Sequence, residues 1–550
     1  MNAEDLVLQL LRKRGLADEE ARERFLNPDY DSETHDPMLF RHMERAVERI
    51  LRGLKKKEII AVFSDYDADG IPGAVIMRDV LTMCGGDPII YIPHRTHEGF
   101  GLSTHAVEKL HDRGVALLIT VDCGITDAPA VARANELGMD VIITDHHVPP
   151  ETIPEAYAIL NPAIPEETYP FPHLCGAGVA FKLACALITE KRNQNDGVEI
   201  IPEGAEKWLL DMVGIATISD MVPLVGENRV LAKYGLTVLK KARRLGLRTL
   251  YEKLRIRAHA LTEDDIAFSI TPRINAASRM DEPEVAYRLL VTDDPVEAEA
   301  LVKHLDHINN ERKGTVAAYI KEARKRLLGE SGAVLVVGDP RWNPGVVGLV
   351  AHRLAEEFGK PAFVWGRGTG ETIKGSCRSD GVLDVRALME RASDAFLEYG
   401  GHEFSGGFSV SAENIHMLAD TLGKAYDEAP HIPPTNDVQG EDAPLPLSYA
   451  TQNTLSILEG LAPFGKENPK PLFSVSAPVV RAERFGADSA HIKVLLQDGA
   501  TRVQAIKFFA GHDASLTALS EGDIPTLLCN LERDPFSRYY PVRLRIVDMV

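Results

Sequence analysis

The stretch Glu58–Gly70, EIIAVFSDYDADG, constrains the fold of this chain more than any other. Its run Ile59–Phe63 has the β-branched and aromatic composition of a buried strand, and Asp65, Asp67 and Asp69 follow at alternate positions. In extended geometry such residues lie on one side, roughly 7 Å apart, so their carboxylates converge. Carboxylates gathered in this way repel one another unless cations neutralise them, and hard divalent cations prefer oxygen ligands. An alternative interpretation is an aspartate-rich turn that caps the next helix, and this stretch alone favours neither.

After Glu58, short apolar runs alternate with helical patterns, which is typical of βαβ units and a mostly parallel sheet. The predicted strands are Ile59–Phe63, Pro88–Ile92, Ala116–Val121, Val141–Thr144 and Ala158–Leu160, and the predicted helices are Gly73–Met83, Thr104–Asp112, Ala128–Leu137, Lys182–Glu190 and Ala205–Ile218. We therefore predict the α/β class, with a parallel-sheet domain joined by a long helix to a second, smaller α/β domain. Short strand patterns after a Pro- and Asp-rich linker predict a C-terminal β-barrel or sandwich. The expected segments are an N-terminal helical segment 1–57, the first α/β domain 58–282, a connecting helix 283–330, the second α/β domain 331–430, the linker 431–446 and the β-rich domain 447–550.

Composition excludes several classes of protein. Apolar residues make up 45% of the 550 residues and charged residues 26%, which is ordinary for a soluble globular chain. Six scattered cysteines without a CxxC pair argue against a thiolate zinc site or a disulfide framework and favour a reducing cytoplasm. The net charge of −20 excludes a general DNA coat. One basic stretch, Lys233–Arg257, carries nine Lys or Arg and the single acid Glu252; it is either a solvated helix face or a phosphate-facing surface.

Acidic residues and histidines follow other apolar runs. Asp122 follows Ala116–Val121, the triplet Asp145-His146-His147 follows Val141–Thr144, and Asp220 ends a helical run. Because the carboxyl ends of parallel strands share one edge of a sheet, we expect these side chains to meet there. The mixture of carboxylates with imidazoles favours Mn²⁺, or Mg²⁺ with fewer nitrogen ligands, over Ca²⁺.

The motifs SDYDADG, TVDCG, TDHH and ATISDMVPL resemble the four ordered motifs of the DHH phosphoesterase superfamily, and INAASRM, KGSCRS and GGHEFSGG resemble its DHHA1-containing architecture. The tail resembles an OB-fold. Together they resemble the branch of metal-dependent, single-strand-specific 5′→3′ DNA exonucleases that act in recombination and repair. Related phosphatases carry a histidine near the position where this chain has Phe63-Ser64, and Asp65 is expected to replace it.

The resemblance implies two Mn²⁺ or Mg²⁺ ions. One would be held by Asp67 and Asp220 with Asp65, the other by Asp69 and His146, and Asp122 would bridge them. His147 would contact the scissile phosphate or orient the site, and Asp145 would support the histidines. Two ions about 3.5–4 Å apart activate a water for in-line displacement, so no protein nucleophile is needed. The implied catalytic residues are Asp122, Asp145 and His147.

Phosphodiester recognition requires forked arginine donors. By resemblance, the substrate-binding residues are Arg95, Asn275, Ser278, Arg279, Ser376, Arg378, Gly400, Gly401 and His402, with Lys374 along the same cleft. Phe485, Phe508 and Phe509 would either stack on bases or pack in a core. The implied partners are single-stranded DNA and, as candidates, a single-strand-binding protein and a helicase; we expect a monomer without membrane contact.

Two alternative functions stay open from the sequence. The first is a DHH-family phosphodiesterase for short oligonucleotides or cyclic dinucleotides, or a pyrophosphatase. The second is a catalytically dead replication scaffold. A dead scaffold should have lost metal ligands, whereas Asp67, Asp69, Asp122, His146 and Asp220 are all present.

Overall fold

The structure is a computed structural model of the chain, and it describes residues 3–95, 97–194, 201–280, 282–329, 332–367, 372–431, 440–486, 489–510, 514–534 and 541–550. Two compact units are present. One comprises Met1–Thr34, Pro223–Lys233 and Asn436–Val550, and the other comprises His35–Val222 and Tyr234–Thr435. In the part of the chain that is described, no helix has the length and apolar character needed to cross a membrane.

The N-terminal helices divide between the two units. They are α1 (Ala3–Lys13), α2 (Glu19–Leu26), α3 (Tyr30–Glu33) and α4 (Met43–Lys56). Leu6 and Leu10 of α1 are buried in the apolar core of the C-terminal β-rich domain, whereas α4 belongs to the other unit. The expected segment 1–57 therefore contributes to two separate cores.

A parallel sheet organises the second unit. Its elements are β1 (Ile59–Ser64), α5 (Gly70–Met83), β2 (Ile89–Tyr91), α6 (Thr104–Asp112), β3 (Val115–Val121), α7 (Ala128–Glu136), β4 (Asp140–Thr144), β5 (Ala158–Leu160) and α8 (Gly176–Gln194). The strand order is β2-β1-β3-β4-β5, and every pair is parallel. These pairings confirm the predicted parallel sheet. Strand β5 and helix α6 have the predicted bounds.

Helices connect this sheet to the next one. They are α9 (Leu210–Ser219), α10 (Gly226–Leu239), α11 (Leu245–Leu254), α12 (Glu263–Asp265), α13 (Thr271–Arg279), α14 (Pro283–Val291) and α15 (Pro295–Arg326). The connecting helix predicted over 283–330 is present as two helices, α14 and α15, which are separated by residues 292–294. The Asp294 carboxylate accepts a hydrogen bond from Val296 N at 2.9 Å, and Pro295 occupies the first turn of α15. A capping aspartate followed by proline is a strong helix start.

The second α/β domain has a mixed sheet. Its elements are β6 (Leu335–Gly338), α16 (Pro344–Phe358), β7 (Ala362–Gly366), β8 (Ile373–Arg378), α17 (Val385–Arg391), β9 (Glu398–His402), β10 (Ser405–Val410) and α18 (Leu418–Tyr426). The order is β6-β7-β8-β10-β9. Only β6 and β7 pair in parallel, whereas the other pairs are antiparallel. Phe363 and Phe408 pack in its core.

The C-terminal domain is β-rich, as predicted. It contains β11 (Ala443–Pro444), α19 (Gln452–Leu458), β12 (Phe473–Ser476), β13 (Val479–Phe485), β14 (His491–Asp498), β15 (Thr501–Lys507), α20 (Ala514–Thr517), β16 (Thr526–Arg533) and β17 (Val542–Met549). The strand order is β11-β12-β16-β17-β15-β14-β13. Alternate residues of β14 and β16 point into one core.

Candidate metal centre and phosphate pocket

The carboxyl ends of three neighbouring strands bring the predicted ligands together. Asp65, Asp122 and Asp145 are the first residues after β1, β3 and β4. Their backbone N–H groups continue the sheet by one residue, donating to Val121 O, Thr144 O and Leu160 O at 3.1, 2.9 and 3.0 Å. Since β1, β3 and β4 are adjacent, the side chains at this edge face one another. Asp220 reaches the same place from the C-terminal end of α9.

All six predicted metal ligands lie in this cluster. Ligand atoms fall within 4.8 Å of one another in three groups: Asp69, His146 and Asp220; Asp65, Asp67 and Asp122; and Asp122, His146 and His147. The resemblance implied that Asp67 and Asp220, with Asp65, hold one ion and that Asp69 and His146 hold the other. The structure groups Asp65 with Asp67 and Asp69 with His146, but it places Asp220 in the group of Asp69. Asp122 belongs to two groups, which is the position that a bridging carboxylate requires.

The cluster has buried negative charge without enough donors to balance it. Asp65 Oδ1 and Asp122 Oδ1 are buried and accept no hydrogen bond, and the nearest basic nitrogen to Asp122 Oδ1 is His146 Nε2 at 3.2 Å. Burial, followed by repulsion from neighbouring carboxylates, raises the pKa of both aspartates well above the ordinary value. Orphaned carboxylate oxygens of this kind fit divalent cations, because hard cations supply the missing partners.

Backbone N–H groups hold two of the aspartates. Asp69 accepts hydrogen bonds from Gly176 N and Ala177 N, both at 2.7 Å, at the first turn of α8. Asp67 Oδ1 accepts from Asp69 N at 2.8 Å and from Gly70 N at 3.1 Å, so the helix-capping interpretation is also correct for one oxygen of Asp67. The two interpretations of this turn are therefore compatible.

Asp145 orients one histidine. Its Oδ1 lies 2.7 Å from His147 Nδ1 and accepts hydrogen bonds from the backbone N–H of His146 and His147. Burial lowers the pKa of His147, but the hydrogen bond to Asp145 and the negative charges of Asp145, Asp220 and Asp65 together outweigh it and raise that pKa to about 9. The His146 ring instead faces the carboxylates, with Nε2 3.7 Å from both Asp69 and Asp220. Asp145 thus fixes the ring of His147, as a supporting carboxylate does.

A pocket of about 230 Å³ adjoins the cluster. It is lined by Asp65, Tyr66, Asp67, Arg95, Phe100, Asn275, Ser278 and Arg279. The Arg95 guanidinium lies 5.2 Å from the centre of the Tyr66 ring, and Phe100 packs edge-on against His147 with 5.6 Å between ring centres. The pocket therefore combines arginines and aromatic rings next to the carboxylates.

Arg95 and Arg279 line this pocket, and Arg312 and Arg378 lie close enough for their charges to act on Arg279. Burial, and then the charges of Arg95, Arg312 and Arg378, lowers the pKa of Arg279 to about 9. Within the described ranges, none of the four makes an ion pair with a carboxylate. Arg279 Nη1 donates only to the carbonyl of Gly345, at 3.2 Å. A cluster of unpaired arginines is a site for a phosphate, which the guanidinium fork binds through two hydrogen bonds.

Several predicted substrate residues have other contacts. Asn275 Oδ1 accepts from Ala68 N at 2.8 Å, so this side chain fixes the aspartate turn, and Ser278 Oγ donates to Asn275 O at 3.2 Å. A β-carbon at Gly348 would lie 3.3 Å from Ser376 Oγ and 3.4 Å from Arg378 Nη2. Ser376 and Arg378 therefore lie side by side at α16.

The glycine–histidine turn lies elsewhere. Gly400, Gly401 and His402 belong to the exposed edge strand β9. His402 lines a separate pocket of about 480 Å³ with Asp384, Arg386, Ala387, Glu390, Glu403 and Phe404. None of the three is among the described residues that line the arginine pocket. In the sheet, Ser405 of β10 pairs with His402 on one side and with Arg378 of β8 on the other, so one strand separates this turn from Arg378.

Sequence reasoning missed Tyr66, Phe100 and Arg312. Tyr66 lies inside the aspartate motif, and Phe100 lies four residues before the predicted helix at Thr104. Both residues are therefore close in sequence to features that the sequence predicted. Arg312 is one of many charged residues on α15, and no local pattern distinguishes it from the exposed ones.

Family models match three parts of the chain. The DHH family N-terminal domain matches residues 59–217, the DHHA1 domain matches residues 329–428 and the RecJ OB domain matches residues 441–548. The parallel sheet and its carboxylate–histidine edge thus define a protein of the DHH class.

Comparison with known proteins is more specific. The single-stranded-DNA-specific exonuclease RecJ of Bacillus subtilis is 35% identical over 94% of this chain, which spans 64% of that relative's length. The protein of the same name from Escherichia coli is 34% identical, with 83% of this chain and 81% of the relative covered. The chain belongs to the RecJ family.

A solved structure agrees over almost the whole chain. The crystal structure of RecJ in complex with Mn²⁺ from Thermus thermophilus has a TM-score of 0.79 and 29% identity, and covers 98% of this chain and 75% of its own. The corresponding Mg²⁺ complex has a TM-score of 0.74 and 27% identity, with 98% and 74% covered. Mn²⁺ and Mg²⁺ both suit the donor set of the cluster in this chain.

Proposed function

We propose that this protein is a Mn²⁺- or Mg²⁺-dependent exonuclease that hydrolyses single-stranded DNA in the 5′→3′ direction, in DNA recombination and repair. One observation carries the proposal: buried, donor-poor carboxylates lie directly beside a pocket of unpaired arginines. This arrangement supplies a cation site and a phosphate site next to each other, which phosphodiester hydrolysis requires. Membership in the RecJ family supports the choice of DNA as substrate.

The proposed metal ligands are Asp65, Asp67, Asp69, Asp122, His146 and Asp220. Two divalent ions bound there would polarise a water nucleophile and neutralise charge on the phosphate. Asp145 holds His147 so that Nε2, the ring nitrogen not facing Asp145, is presented to the substrate. Arg95, Arg279 and Arg378 bind phosphate oxygens, and Tyr66 and Phe100 provide aromatic surface for bases.

The family matches support the domain assignment that we propose: a catalytic domain over 58–282, a substrate-binding domain over 331–430 and a nucleic-acid-binding domain over 447–550. We also propose that the protein acts as a cytoplasmic monomer, with a single-strand-binding protein and a helicase as partners. Free cysteines, five of them buried, support the reducing compartment. Sedimentation with and without each purified partner tests these associations.

The deciding experiment uses the full chain and a single strand labelled at its 3′ end. One version has a free 5′ end, and another has its 5′ end closed into a hairpin. We expect stepwise shortening of the free strand with Mn²⁺ or Mg²⁺, resistance of the hairpin, and no reaction with EDTA. Rapid cleavage of dinucleotides with no degradation of the long strand would instead support the alternative of a small-substrate phosphodiesterase.

A further inference from the structure

The segment Lys240–Arg257 forms a strongly basic surface on an acidic protein. It contains eight Lys or Arg and one acid, Glu252, whereas the whole chain has 61 basic and 81 acidic residues. Two of the eight are used internally. Arg244 forms ion pairs with Asp211 at 2.7 Å and Asp79 at 2.9 Å, and Lys253 pairs with Asp306 at 3.6 Å.

The other six side chains are exposed, and we call them the basic ridge. The ridge consists of Lys240, Lys241, Arg243, Arg248, Arg255 and Arg257. Among the residues that the structure describes, none of the six has an ion-pair partner. By contrast, two exposed cations of α15 are paired, Lys303 with Glu299 and Arg324 with Glu357. Within the described residues, the ridge therefore carries six exposed positive charges that no ion pair neutralises.

Helix ends explain only part of the ridge. Lys240 and Lys241 follow the C-terminus of α10, and Arg255 follows α11, where cations are favoured by about 0.3–1 kcal/mol each. Arg243, Arg248 and Arg257 are not at such positions. Arg243 lies over the ring of Trp208, 4.8 Å from its centre, and this indole is 44% exposed. An exposed aromatic ring beside unpaired cations is typical of surfaces that bind single-stranded nucleic acid.

The ion pairs of Arg244 show where the neighbouring part of the ridge lies relative to the carboxylate cluster. Its partner Asp79 lies ten residues after Asp69 along α5, and its partner Asp211 lies nine residues before Asp220 along α9. At 1.5 Å per residue, both separations are roughly 14–15 Å. The part of the ridge next to Arg244, which includes Lys241 and Arg243, therefore lies at the ends of α5 and α9 opposite the cluster.

We propose that the basic ridge and Trp208 bind the phosphate backbone and a base of the single strand, with Arg243 and Trp208 about four stacked nucleotides from the scissile bond at 3.4 Å per nucleotide. This inference rests on the proposed function and assigns that function a second DNA contact. A nucleic acid fits better than an acidic protein because an indole in contact with Arg243 offers a stacking surface for a base.

The test compares two triple variants of the full chain that lose the same charge. The ridge variant is Lys241→Gln, Arg243→Gln and Arg248→Gln. The control is Lys55→Gln, Lys56→Gln and Lys57→Gln, three adjacent exposed lysines at the C-terminal end of α4. Binding of a 40-mer single strand is measured by fluorescence anisotropy over a range of salt, and cleavage is measured for the 40-mer and a 3-mer, which is too short to reach Arg243 and Trp208 from the scissile bond.

The ridge variant should bind the 40-mer roughly tenfold more weakly at 0.1 M salt, with the slope of log K against log salt smaller by about 2, from three lost phosphate contacts. Its ratio of catalytic efficiency for the 40-mer to that for the 3-mer should fall by a similar factor, whereas the control should match the wild type. In addition, Trp208→Phe should remove most of the change in tryptophan emission that the 40-mer causes.

An unchanged 40-mer affinity in the ridge variant, or an equal loss in the control, would overturn the inference. Loss of binding to polyglutamate with 40-mer affinity retained would assign the ridge to an acidic protein and would also overturn it. If the wild type cleaves neither strand, the proposed function fails; if it cleaves both and the ridge variant behaves as the wild type, only the ridge assignment fails.

Discussion

Gly176 approaches Asp122 so closely that a β-carbon at residue 176 would lie 2.5 Å from the Asp122 β-carbon. Asp122 has φ +60°, a conformation that is uncommon for residues other than glycine. The two residues thus form one structural feature, in which the first turn of α8 leaves room for the carboxylate that belongs to two of the ligand groups.

Gly176→Ala should therefore reduce activity by displacing Asp122. A displacement of about 1 Å at a reacting centre costs roughly 100-fold in rate, and we expect a loss of kcat of that size together with weaker Mn²⁺ binding. Gly178→Ala, two residues along the same helix, is the matched control, because a β-carbon there would make ordinary contacts of 3.5–3.6 Å. Steady-state kinetics and Mn²⁺ titration of both variants check this, and equal behaviour of the two would contradict it.

Asp122→Ala should abolish cleavage with either metal while the protein stays folded. Removing this carboxylate takes a ligand from two groups at once, so the loss should reach about three powers of ten or more. Mn²⁺ stoichiometry by titration and circular dichroism of the variant separate loss of metal from loss of fold. Near-normal turnover would refute the assignment of Asp122 as a shared ligand.

Arg279→Gln should lower catalytic efficiency by about 1–3 kcal/mol in transition-state terms, because a phosphate loses a bidentate partner. Mn²⁺ binding should be unchanged. Arg391→Gln, which changes an exposed arginine of α17, serves as the control for loss of one positive charge. If Arg279→Gln instead lost bound Mn²⁺, the residue would belong to the structure of the metal cluster and not to phosphate binding.

Much of the sheet was predictable from sequence because the apolar runs and helical periods are local. β5 and α6 have the predicted bounds for this reason. Helix α8 begins at Gly176, six residues before the predicted start at Lys182. The sequence does not indicate this start, because the run GAG has low helix propensity. Its start is set by Asp69, a residue far away in sequence that accepts hydrogen bonds from the first turn. Such tertiary contacts have no local signature.

The members of the carboxylate–histidine cluster could also be predicted, because they follow elements that end at one edge of the sheet. Their division into groups could not be predicted. Asp67 is grouped with Asp65 and Asp122, and its Oδ1 accepts hydrogen bonds from the backbone of its own turn. Neither spacing nor residue type specifies that orientation.

Arg49→Met should destabilise the parallel-sheet domain. Arg49 of α4 is 4% exposed and pairs with Glu58 at 2.7 Å and Asp140 at 2.5 Å, so it joins α4 to the first strand and the fourth. Its loss leaves Asp140 without its arginine partner and leaves Glu58 with Lys56, at 4.0 Å, which should cost about 2–4 kcal/mol given that both carboxylates are partly solvated. The midpoint of urea unfolding followed by circular dichroism measures this loss of stability, with the exposed Arg52→Met as control.

Adding Glu58→Gln and Asp140→Asn to Arg49→Met should recover part of the lost stability. No recovery would mean that packing of the arginine stem, and not charge, is responsible.

Phe509 is the best candidate for base stacking in the C-terminal domain. The structure places Phe485 and Phe508 partly inside an aromatic cluster around His491, whereas Phe509 is 70% exposed and contacts His491 edge-on at 5.0 Å.

Deleting this domain would be a poor test of base stacking, because Leu6 and Leu10 of α1 are buried in its core and would become exposed. Phe509→Ala should instead weaken binding of a long single strand by about 1–3 kcal/mol, the contribution of one stacked base. Ile524→Ala is the control, since Ile524 is 67% exposed in the same domain but has no aromatic face. Anisotropy with a 40-mer at matched salt gives the comparison. Equal affinities for the two variants would leave the exposed ring without a role in stacking and would assign the domain's DNA contacts to its cations.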